Sequence, residues 1–313
     1  LRGLGHQGIR RLGEARIGYN RRVCWADGTH EMHGDTTRPD FIGLEGPDDP
    51  AHLALFAMDE DGGPIAVLHA NTSHPTCFYG ADFLSADYPG AARAWLREVL
   101  GAIPVLYLNG AFGDISISSQ LSPRPRGEER EHMMKRAAHR IAGETLRLLH
   151  ETSFHDDVAL AHRHEDVEMP VRLPDADKLE ESREILSRAD AGEDVPAWEV
   201  MFAHGRVLLQ ERFGERGADV VPVHAVRVGP VGIAAQPCEL FCQFGLDIKR
   251  RSPAPLTAVW GCADGYNGYC PTAAGVLGGG YSGEALYWTR LVEDAGHRIV
   301  DAASRLLRAA WAQ

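Results

Sequence analysis

Apolar residues recur along this chain with two periods, and each period predicts one kind of element. Over 128–149, residues such as Met134, Ala137 and Ile141 repeat at helical spacing, which predicts an amphipathic helix. Over 157–172, polar and apolar residues alternate, which predicts a strand. With glycine and proline as boundaries, the same patterns predict strands at 15–20, 52–58, 64–71, 103–108 and 256–261, a hairpin at 220–235, and helices at 89–100, within 175–215, at 239–251 and at 284–310.

The order of these elements predicts the fold class. Strands occur both as hairpins and between helices, so we expect an α/β fold of the α+β kind, with mixed β-sheets and hairpins flanked by helices. Residues 52–58 and 64–71 are joined by the turn sequence DEDGG and form one predicted hairpin. Apart from the strand at 15–20, residues 1–50 are expected to be irregular, and 263–283 is expected to be a glycine-rich loop.

Composition restricts the class of protein. The 313 residues are 44% hydrophobic, enough for a large core, and no internal repeat or low-complexity linker divides them, so we expect a single domain over 1–313. A formal net charge of −12 argues against a general nucleic-acid binder, which usually presents a basic surface. The sequence has no run of about 18 apolar residues, so no transmembrane segment is expected.

Cysteine usage and the first residues give little further information. The six cysteines form no CxxC pair, which predicts free thiols in a chain of this size. Cys238 and Cys242 are four residues apart, but a zinc knuckle needs two more ligands at similar spacing. The chain opens on Leu1 without a visible signal peptide, so cytoplasmic and secreted localisation both stay open, as does the oligomeric state.

A histidine just after a predicted strand is the first candidate for chemistry. His74 precedes Pro75, and proline restrains the residue before it to extended geometry, which suits a metal ligand. A surface or capping histidine is the alternative. Asp87, in the sequence SADYPG at 85–90, either accepts a ring N–H from such a ligand or caps the helix that follows.

A glycine turn that presents a hydroxyl follows the predicted strand at 103–108. The sequence GDIS at 113–116 offers Ser116 as a nucleophile or as a group that orients a metal-bound water. Asp114 beside it is a candidate substrate-binding or supporting residue. No histidine base is adjacent in the sequence, so any activator of Ser116 must come from the fold. An ordinary turn is the alternative.

Two further candidates lie in the C-terminal third of the chain. Glu239, in the sequence QPCE, stands at the predicted start of a helix, where the helix dipole favours a carboxylate that is also a hard ligand for zinc. Tyr269, in the sequence GYCPT, can bind a metal or stabilise an oxyanion, and Tyr281 is a candidate substrate-binding or supporting residue. A common helix-terminal glutamate and loop-packing tyrosines are the alternatives.

Taken in order, these motifs resemble the catalytic domain of the neutral (non-lysosomal) ceramidase family. Each motif is short, but five in the family's order are much less expected by chance than one. The resemblance covers the chain from about residue 15 to about residue 284. The motifs are NTSHPT at 71–76, SADYPG at 85–90, GDIS at 113–116, QPCE at 236–239 and YCPT at 269–272.

The resemblance implies a site and a reaction. It makes His74, Glu239 and Tyr269 ligands of a zinc ion (Zn²⁺), gives Tyr269 a catalytic role as well, and puts Ser116 at the position of the family's catalytic serine. It implies a zinc-dependent hydrolase that cleaves the amide bond of an N-acylsphingosine-like substrate to a fatty acid and an amine. The expected partner is therefore a small-molecule or lipid amide, with zinc as Lewis acid and water activator.

The chain also departs from the family pattern. The family has an upstream stretch, Thr-His-Thr-His-Ser-Gly-Pro, that supplies another zinc histidine, whereas His30 and His33 come after the matching element and His6 is only a further candidate. We therefore expect a domain truncated at its N-terminus and without the C-terminal immunoglobulin-like domain of the larger members. Two alternatives follow: a related hydrolase of a small polar amide or ester, or a degenerate, non-catalytic binding module.

Overall fold

The computed structural model describes residues 7–8, 12–121 and 130–312, and His6 lies outside them. Within this part of the chain helices accompany sheets of mixed pairing, so the predicted α+β class is confirmed. None of the helices described is both long and apolar enough to span a bilayer.

The helices are α1 (Asp87–Leu100), α2 (Arg130–Glu151), α3 (Ala176–Asp190), α4 (Ala197–Phe213), α5 (Cys242–Arg251), α6 (Ala273–Gly278) and α7 (Ala295–Trp311). The strands are β1 (Gln7–Gly8), β2 (Leu12–Glu14), β3 (Tyr19–Asn20), β4 (Arg22–Trp25), β5 (His30–Met32), β6 (Phe41–Leu44), β7 (Ala51–Met58), β8 (Pro64–Asn71), β9 (Val105–Asn109), β10 (Ile115–Ser116), β11 (Phe154–His155), β12 (Leu160–Pro170), β13 (Ala218–Val228), β14 (Val231–Ala235), β15 (Cys238–Leu240), β16 (Leu256–Trp260) and β17 (Gly268–Cys270).

The first sheet is built around the β7–β8 hairpin, which the turn between its strands predicts correctly. The two strands are antiparallel, with Phe56 opposite Val67. Strand β9 adds to β8 in parallel, and α1 is the crossover that such a connection requires. Leu96 of α1 and Leu148 of α2 pack with Phe56 in one apolar cluster, so both helices cover a face of this sheet.

The second sheet has the strand order β12-β13-β14-β16. Strands β12, β13 and β14 are antiparallel neighbours, whereas β16 is parallel to β14 with α5 between them. Helix α7 packs on this sheet, where Ile299 shares an apolar cluster with Val221. A separate cluster joins Leu53 and Leu108 of the first sheet to Ile233 of the second. The two sheets are therefore packed against each other.

A short parallel pair, β15 with β17, determines where the candidate site lies. Its register puts Glu239 opposite Tyr269. The helix predicted from residue 239 begins instead at Cys242, so Glu239 lies on a strand and not in the first turn of a helix. Residues 238–240 are buried and take their backbone partners from β17, a long-range contact that the local sequence does not reveal.

The glycine-rich stretch at 263–283 is not a plain loop, because it contains β17 and the short helix α6. Glycine is required at one position in particular. Gly268 has φ of +80°, and a Cβ on it would lie 2.4 Å from the carbonyl oxygen of Trp288. The backbones at Gly268 and Trp288 therefore pack directly against each other beside β17.

The helix predicted at 284–310 is also corrected, since α7 begins only at Ala295. Residues 284–294 form turns and isolated bridges, and Leu286 and Leu291 within them are buried. The Arg172 guanidinium donates to backbone carbonyls in and beside this segment, so these carbonyls are satisfied without an α-helix. These carbonyls belong to Gly283, Thr289 and Leu291.

The expectation of irregular structure over residues 1–50 is wrong for the described part of that range. Strand β4 pairs with β5 and β6 in a three-stranded sheet, and β3 pairs with β10. The strand predicted at 15–20 is reduced to β3, Tyr19–Asn20. Strands of two to four residues are too short for a period to show in the sequence.

Arg22, on β4, is a buried cation that joins the N-terminal strands to the region around α6. Its Nε donates to the carboxylate of Glu45, and its Nη1 donates to Ser282 Oγ at 2.8 Å. Its Nη2 lies 3.2 Å from each of the carbonyl oxygens of Gly275 and Gly279. The guanidinium therefore exchanges its hydration for protein acceptors, of which the Glu45 carboxylate carries the compensating charge.

We expect Glu45→Gln to lower the free energy of unfolding by about 3–5 kcal/mol, because the substitution leaves the Arg22 charge buried without a counter-charge. The matched control is Glu165→Gln, which removes an exposed ion pair with Arg305 and should cost less than about 1 kcal/mol. Urea unfolding followed by circular dichroism measures both. Equal losses in the two variants would contradict this account.

Candidate active site

Four chain segments bring polar side chains to one buried point near strand ends. His74 follows β8, Arg21 lies between β3 and β4, and Glu239 and Tyr269 face each other across β15 and β17. Each of the four residues is at most 8% exposed. An imidazole, a carboxylate and a phenol from distant segments therefore meet in this structure, while their catalytic and metal-binding roles stay predictions.

One ring nitrogen of His74 is held by a carbonyl, and the other faces Glu239. The backbone N–H and the ring Nδ1–H of His74 donate to the carbonyl oxygen of Ile115, at 3.2 and 2.9 Å. With the proton on Nδ1, the lone pair of Nε2 faces Glu239 Oε2 at 2.7 Å and the Tyr269 hydroxyl oxygen at 3.3 Å. A nitrogen lone pair and a carboxylate oxygen repel each other at 2.7 Å. A shared positive charge, from a proton, a metal ion or a nearby cation, has to stabilise this contact.

Arg21 brings one cation to the same point. Its Nη2 is 3.0 Å from His74 Nε2, and it donates to the Tyr269 hydroxyl at 3.1 Å and to the Gly113 carbonyl at 2.9 Å. A guanidinium nitrogen carries two protons, so Nη2 cannot satisfy three neighbours at once. The Nε of Arg21 is buried and has no hydrogen-bond partner among the described residues. The guanidinium therefore holds the site together without being fully satisfied.

Burial and neighbouring charges set the protonation of the pair. Burial lowers the pKa of His74 and the Arg21 guanidinium lowers it further, while Glu239 acts in the opposite direction. Burial raises the pKa of Glu239, but its contact with His74 and the hydrogen bond that Tyr266 donates outweigh burial and leave the pKa below its ordinary value. At neutral pH the site therefore presents a neutral imidazole and a carboxylate, which are the forms that bind metals.

Tyrosines surround the Glu239 carboxylate. Tyr266 donates to Oε1 at 2.6 Å and is 51% exposed, so it lies between this carboxylate and solvent. Burial raises the pKa of Tyr269 and, together with the negative charge of Glu239, that of Tyr266, so both phenols keep their protons. The ring of Tyr281 meets the ring of Tyr269 edge-on, with centroids 5.6 Å apart. Tyr281 thus supports the phenol that faces His74.

Ser116 lies next to the residue that holds His74, but its hydroxyl forms its hydrogen bonds with the Ser118 backbone. Its Oγ donates to the carbonyl of Ser118 at 3.0 Å and accepts the Ser118 N–H at 3.3 Å. No hydrogen bond between described residues joins this hydroxyl to the imidazole, the carboxylate or the phenol of the site. The geometry gives Ser116 no activating base, so its catalytic role stays a prediction.

Asp114 is a buried carboxyl group that joins three segments behind the site. Its Oδ2 accepts from Asn20 Nδ2 and its Oδ1 accepts from the backbone N–H of Cys242, both at 2.7 Å. Burial raises the pKa of Asp114 to about 7, although these two hydrogen bonds act to lower it. Asp114 therefore fixes the start of α5 to the strand that precedes Arg21, and its substrate-binding or supporting role stays a prediction.

Asp87 lies at the start of α1 and braces the loop that follows His74. Its Oδ2 accepts the backbone N–H of Cys77 at 2.8 Å, and its Oδ1 accepts the N–H of Tyr88 at 2.7 Å. The His74 ring N–H that Asp87 was a candidate to accept goes to the Ile115 carbonyl instead. In this geometry Asp87 acts on the loop backbone and the first turn of α1.

The sequence patterns select neither Arg21 nor Tyr266. Arg21 is one of 32 basic residues, and its only signal is its position directly after the strand-like segment at 15–20. Tyr266 precedes Tyr269 in the sequence YNGY, where two phenols three residues apart flank a glycine. Both contacts with the site come from tertiary packing, which is why no local pattern indicates them.

The donor atoms at this point have the chemistry of metal ligands. Within the residues the structure describes, no three His, Cys, Asp or Glu side chains converge so as to hold a metal ion. The site here combines one histidine and one glutamate, and its third oxygen belongs to the phenol of Tyr269. His74, Glu239 and Tyr269 are therefore the residues that could hold a metal at this point.

The comparisons with known proteins concern the fold. No protein-family model matches this chain, and no curated protein matches its sequence. The structure is similar to that of the neutral ceramidase from Pseudomonas aeruginosa, with a TM-score of 0.65 and 16% identity, over 98% of this chain and 52% of that one. It is equally similar to a ceramidase complexed with C2, with a TM-score of 0.65 and 15% identity, over 97% of this chain and 53% of that one. The chain thus has a fold similar to that of these ceramidases and spans about half of their length.

The Asp114 carboxyl predicts a dependence of stability on pH. An aspartate in the unfolded chain titrates near pH 3.8, whereas burial raises the pKa of Asp114 to about 7. Between these values the folded chain keeps a proton that the unfolded chain has lost, so the free energy of unfolding falls as pH rises. From about pH 5 to about pH 7 this group should lower the free energy of unfolding by about 2 kcal/mol.

We expect Asp114→Asn to remove this part of the slope, because the amide does not titrate. Urea unfolding at several pH values between about 5 and 7 measures it. The control is Asp61→Asn, which changes an exposed aspartate in the β7–β8 turn and should leave the slope as it is. A slope that is the same in Asp114→Asn and in the parent chain would show that Asp114 is ionised throughout.

Proposed function

We propose that this chain is the catalytic domain of a zinc-dependent hydrolase that cleaves the amide bond of an N-acylsphingosine-like substrate to a fatty acid and an amine. The observation that carries the proposal is the contact of His74 Nε2 with Glu239 Oε2 at 2.7 Å and with the Tyr269 hydroxyl at 3.3 Å, inside a fold similar to that of neutral ceramidases. The chain spans about half of those proteins, so the activity of a whole protein is part of the same proposal.

The donor set fits zinc. Imidazole nitrogen and carboxylate oxygen are common zinc ligands, and catalytic zinc sites use three protein ligands and keep a fourth position open. Ligand atoms about 2.0–2.1 Å from a tetrahedral metal lie about 3.3 Å apart. His74 Nε2 and the Tyr269 hydroxyl have this separation, whereas Glu239 Oε2, now 2.7 Å from the same nitrogen, would move outward to share the ion. Zinc held by His74, Glu239 and Tyr269 would supply a Lewis acid for the amide carbonyl and lower the pKa of an attacking water.

Arg21 and Tyr269 are suited to stabilise the negative charge that develops on the carbonyl oxygen. Water attack on an amide turns that oxygen into an oxyanion, and fixed donors in a buried site stabilise it strongly. The Arg21 Nη2 and the Tyr269 hydroxyl lie 3.1 Å apart, so one oxygen atom can contact both. The oxyanion would take the place of one of the three neighbours that Nη2 now faces, His74 Nε2, the Gly113 carbonyl or the Tyr269 hydroxyl.

Tyr266 orients the carboxylate from the solvent side. Because its phenol donates to Oε1 of Glu239 at 2.6 Å, the other oxygen is directed toward His74. With half of its surface exposed, Tyr266 also lies where a substrate enters. Movement of its side chain would open access to Glu239, while Arg21 and His74 stay buried.

The surface near the site favours an acyl substrate over a small polar one. In the loop after His74, Tyr79, Phe83 and Leu84 are each more than half exposed. Burial raises the pKa of Tyr281, and Glu239 and then Tyr79 add to this electrostatically; because the Tyr281 ring contacts Tyr269, this loop lies close to the site. Apolar side chains at the entrance suit the binding of a hydrocarbon chain.

The purified protein should bind zinc, and His74→Ala should lower the bound zinc by about one equivalent, because one of three protein ligands is lost. Elemental analysis after dialysis measures this. Hydrolysis of a fluorogenic ceramide should fall at least about 100-fold in the same variant. The reason is that removing a residue that only hydrogen-bonds to a metal ligand already lowers metal affinity or activity about 10–100-fold.

The matched control is His204→Ala, an exposed histidine on α4, which should change neither quantity. Short N-acyl amides are assayed beside the ceramide. Turnover of the short amides alone would replace the proposed substrate with a small polar amide. Zinc content that is unaffected by His74→Ala would refute the zinc site.

Arg21→Lys should lower kcat about 10²–10³-fold with a smaller effect on KM, because a lysine keeps the charge but cannot reproduce the fixed guanidinium donors. Steady-state kinetics with the same fluorogenic substrate separate the two constants. Arg216→Lys changes an exposed arginine and should leave both constants unaltered. A change confined to KM would assign Arg21 to substrate binding and not to the reaction.

A further inference from the structure

The β12–β13 pair carries three histidines on one face, and none of them is a residue of the candidate active site. His164 and His224 are directly opposite each other in the antiparallel register, and His162 lies two residues from His164 on the same strand. Because alternate residues of a strand share a face, all three imidazoles project from the same side of the sheet. The opposite face carries the buried Val221 and Val223.

Two of these imidazoles present ring nitrogens to each other. His162 Nε2 and His224 Nδ1 are 3.1 Å apart, and the two rings are stacked with an interplanar angle of 12°. Neighbouring ligand atoms around a tetrahedral metal with metal–nitrogen distances of about 2.0–2.1 Å lie about 3.3 Å apart. The observed separation is therefore close to what a single metal ion bound by both nitrogens requires.

A carboxylate fixes the tautomer of His224. The Nε2–H of His224 donates to Asp264 Oδ2 at 2.9 Å, which leaves a lone pair on Nδ1, the nitrogen that faces His162. A carboxylate that accepts the second ring N–H is the usual partner behind a metal-binding histidine, where it orients the ring and makes the ligand more basic. The His224 side chain is 19% exposed and Asp264 is 64% exposed, so an ion from solvent can reach the pair.

His164 belongs to a different contact. Its Nε2 is 2.9 Å from Asp166 Oδ1, on the same strand, although its ring stacks on that of His224 with centroids 4.6 Å apart. His164 therefore covers one side of the pair and does not direct a free nitrogen at it. This agrees with the absence, among the described residues, of any set of three His, Cys, Asp or Glu side chains placed to hold a metal.

We propose that His162 Nε2 and His224 Nδ1 form a two-histidine surface site for a divalent transition metal, with Asp264 as the carboxylate behind His224 and water in the remaining positions. Imidazole ligands select zinc, nickel and copper over calcium and magnesium, which prefer oxygen. Binding needs both facing nitrogens unprotonated, so His162 carries its proton on Nδ1 in the metal-bound form. This site shares no ligand with the proposed zinc site and does not depend on the proposed function.

The test uses the full chain with His74→Ala, which removes the other metal site from the measurement. Isothermal titration with Ni²⁺, and separately with Zn²⁺, should detect one site in this parent. Adding His162→Ala or His224→Ala should weaken binding at least tenfold. Adding Asp264→Asn should weaken it by about 10–100-fold, as expected for loss of the carboxylate behind a ligand.

Two further substitutions in the same parent are controls. His204→Ala removes an exposed histidine on α4 and should leave the affinity unchanged, and His164→Ala should change it less than threefold, because His164 is not a ligand. An affinity that survives His162→Ala or His224→Ala would overturn the proposal. Equal losses of metal affinity in the His162→Ala, His164→Ala and His224→Ala variants would also overturn the assignment of two ligands.

A second measurement keeps the proposal testable if a variant folds poorly. The parent loaded with one equivalent of Cu²⁺ should give an electron paramagnetic resonance spectrum with splitting from two nitrogen ligands. A spectrum with oxygen ligands only, or a Cu²⁺ stoichiometry that stays the same after His224→Gln, would contradict the site.

Discussion

The structure around the candidate site depends on one buried contact, that between the imidazole of His74 and the carboxylate of Glu239. A carboxylate removed from water is costly unless charge and hydrogen bonds compensate it. The phenol of Tyr266 and the ring of His74 contact the carboxylate directly, and the guanidinium of Arg21 contacts that ring in turn. Most of the polar geometry in this region can be understood as the consequence of keeping this carboxylate ionised inside the protein.

A network of buried polar groups holds the segments that deliver these side chains. Asp114 joins Asn20 to the start of α5, and Arg22 joins β4 to the turn around α6. Asn20 and Arg22, which these contacts hold, are the two neighbours of Arg21 in the sequence. Polar groups that are fully bonded inside a protein permit one arrangement and penalise others. The position of Arg21 is therefore determined from both sides.

Local patterns in the sequence predict the elements that form from neighbouring residues. The β7–β8 hairpin follows from its turn, and α2 follows from the helical spacing of its apolar residues. The pair β15–β17 and the first residue of α7 are not predicted correctly, because distant partners satisfy the backbone hydrogen bonds there: the facing strand in the first case and the Arg172 guanidinium in the second. His74, Glu239 and Tyr269 are selected together only through the family resemblance, and nothing in their own segments indicates that they meet. Arg21 and Tyr266 are missed because their functional surroundings come entirely from tertiary contacts.

The parallel pairing of β15 with β17 has a consequence for how this architecture tolerates change. The spacing between the Glu239 carboxylate and the Tyr269 phenol is set by a three-residue ladder and not by the length of the chain between them. Insertions in the connection between α5 and β16 would lengthen that loop without moving the carboxylate or the phenol. A deletion of one residue within β15 would instead turn alternate side chains to the opposite face of the ladder. Variation in length should therefore accumulate between these two strands, while the strands themselves keep a fixed number of residues.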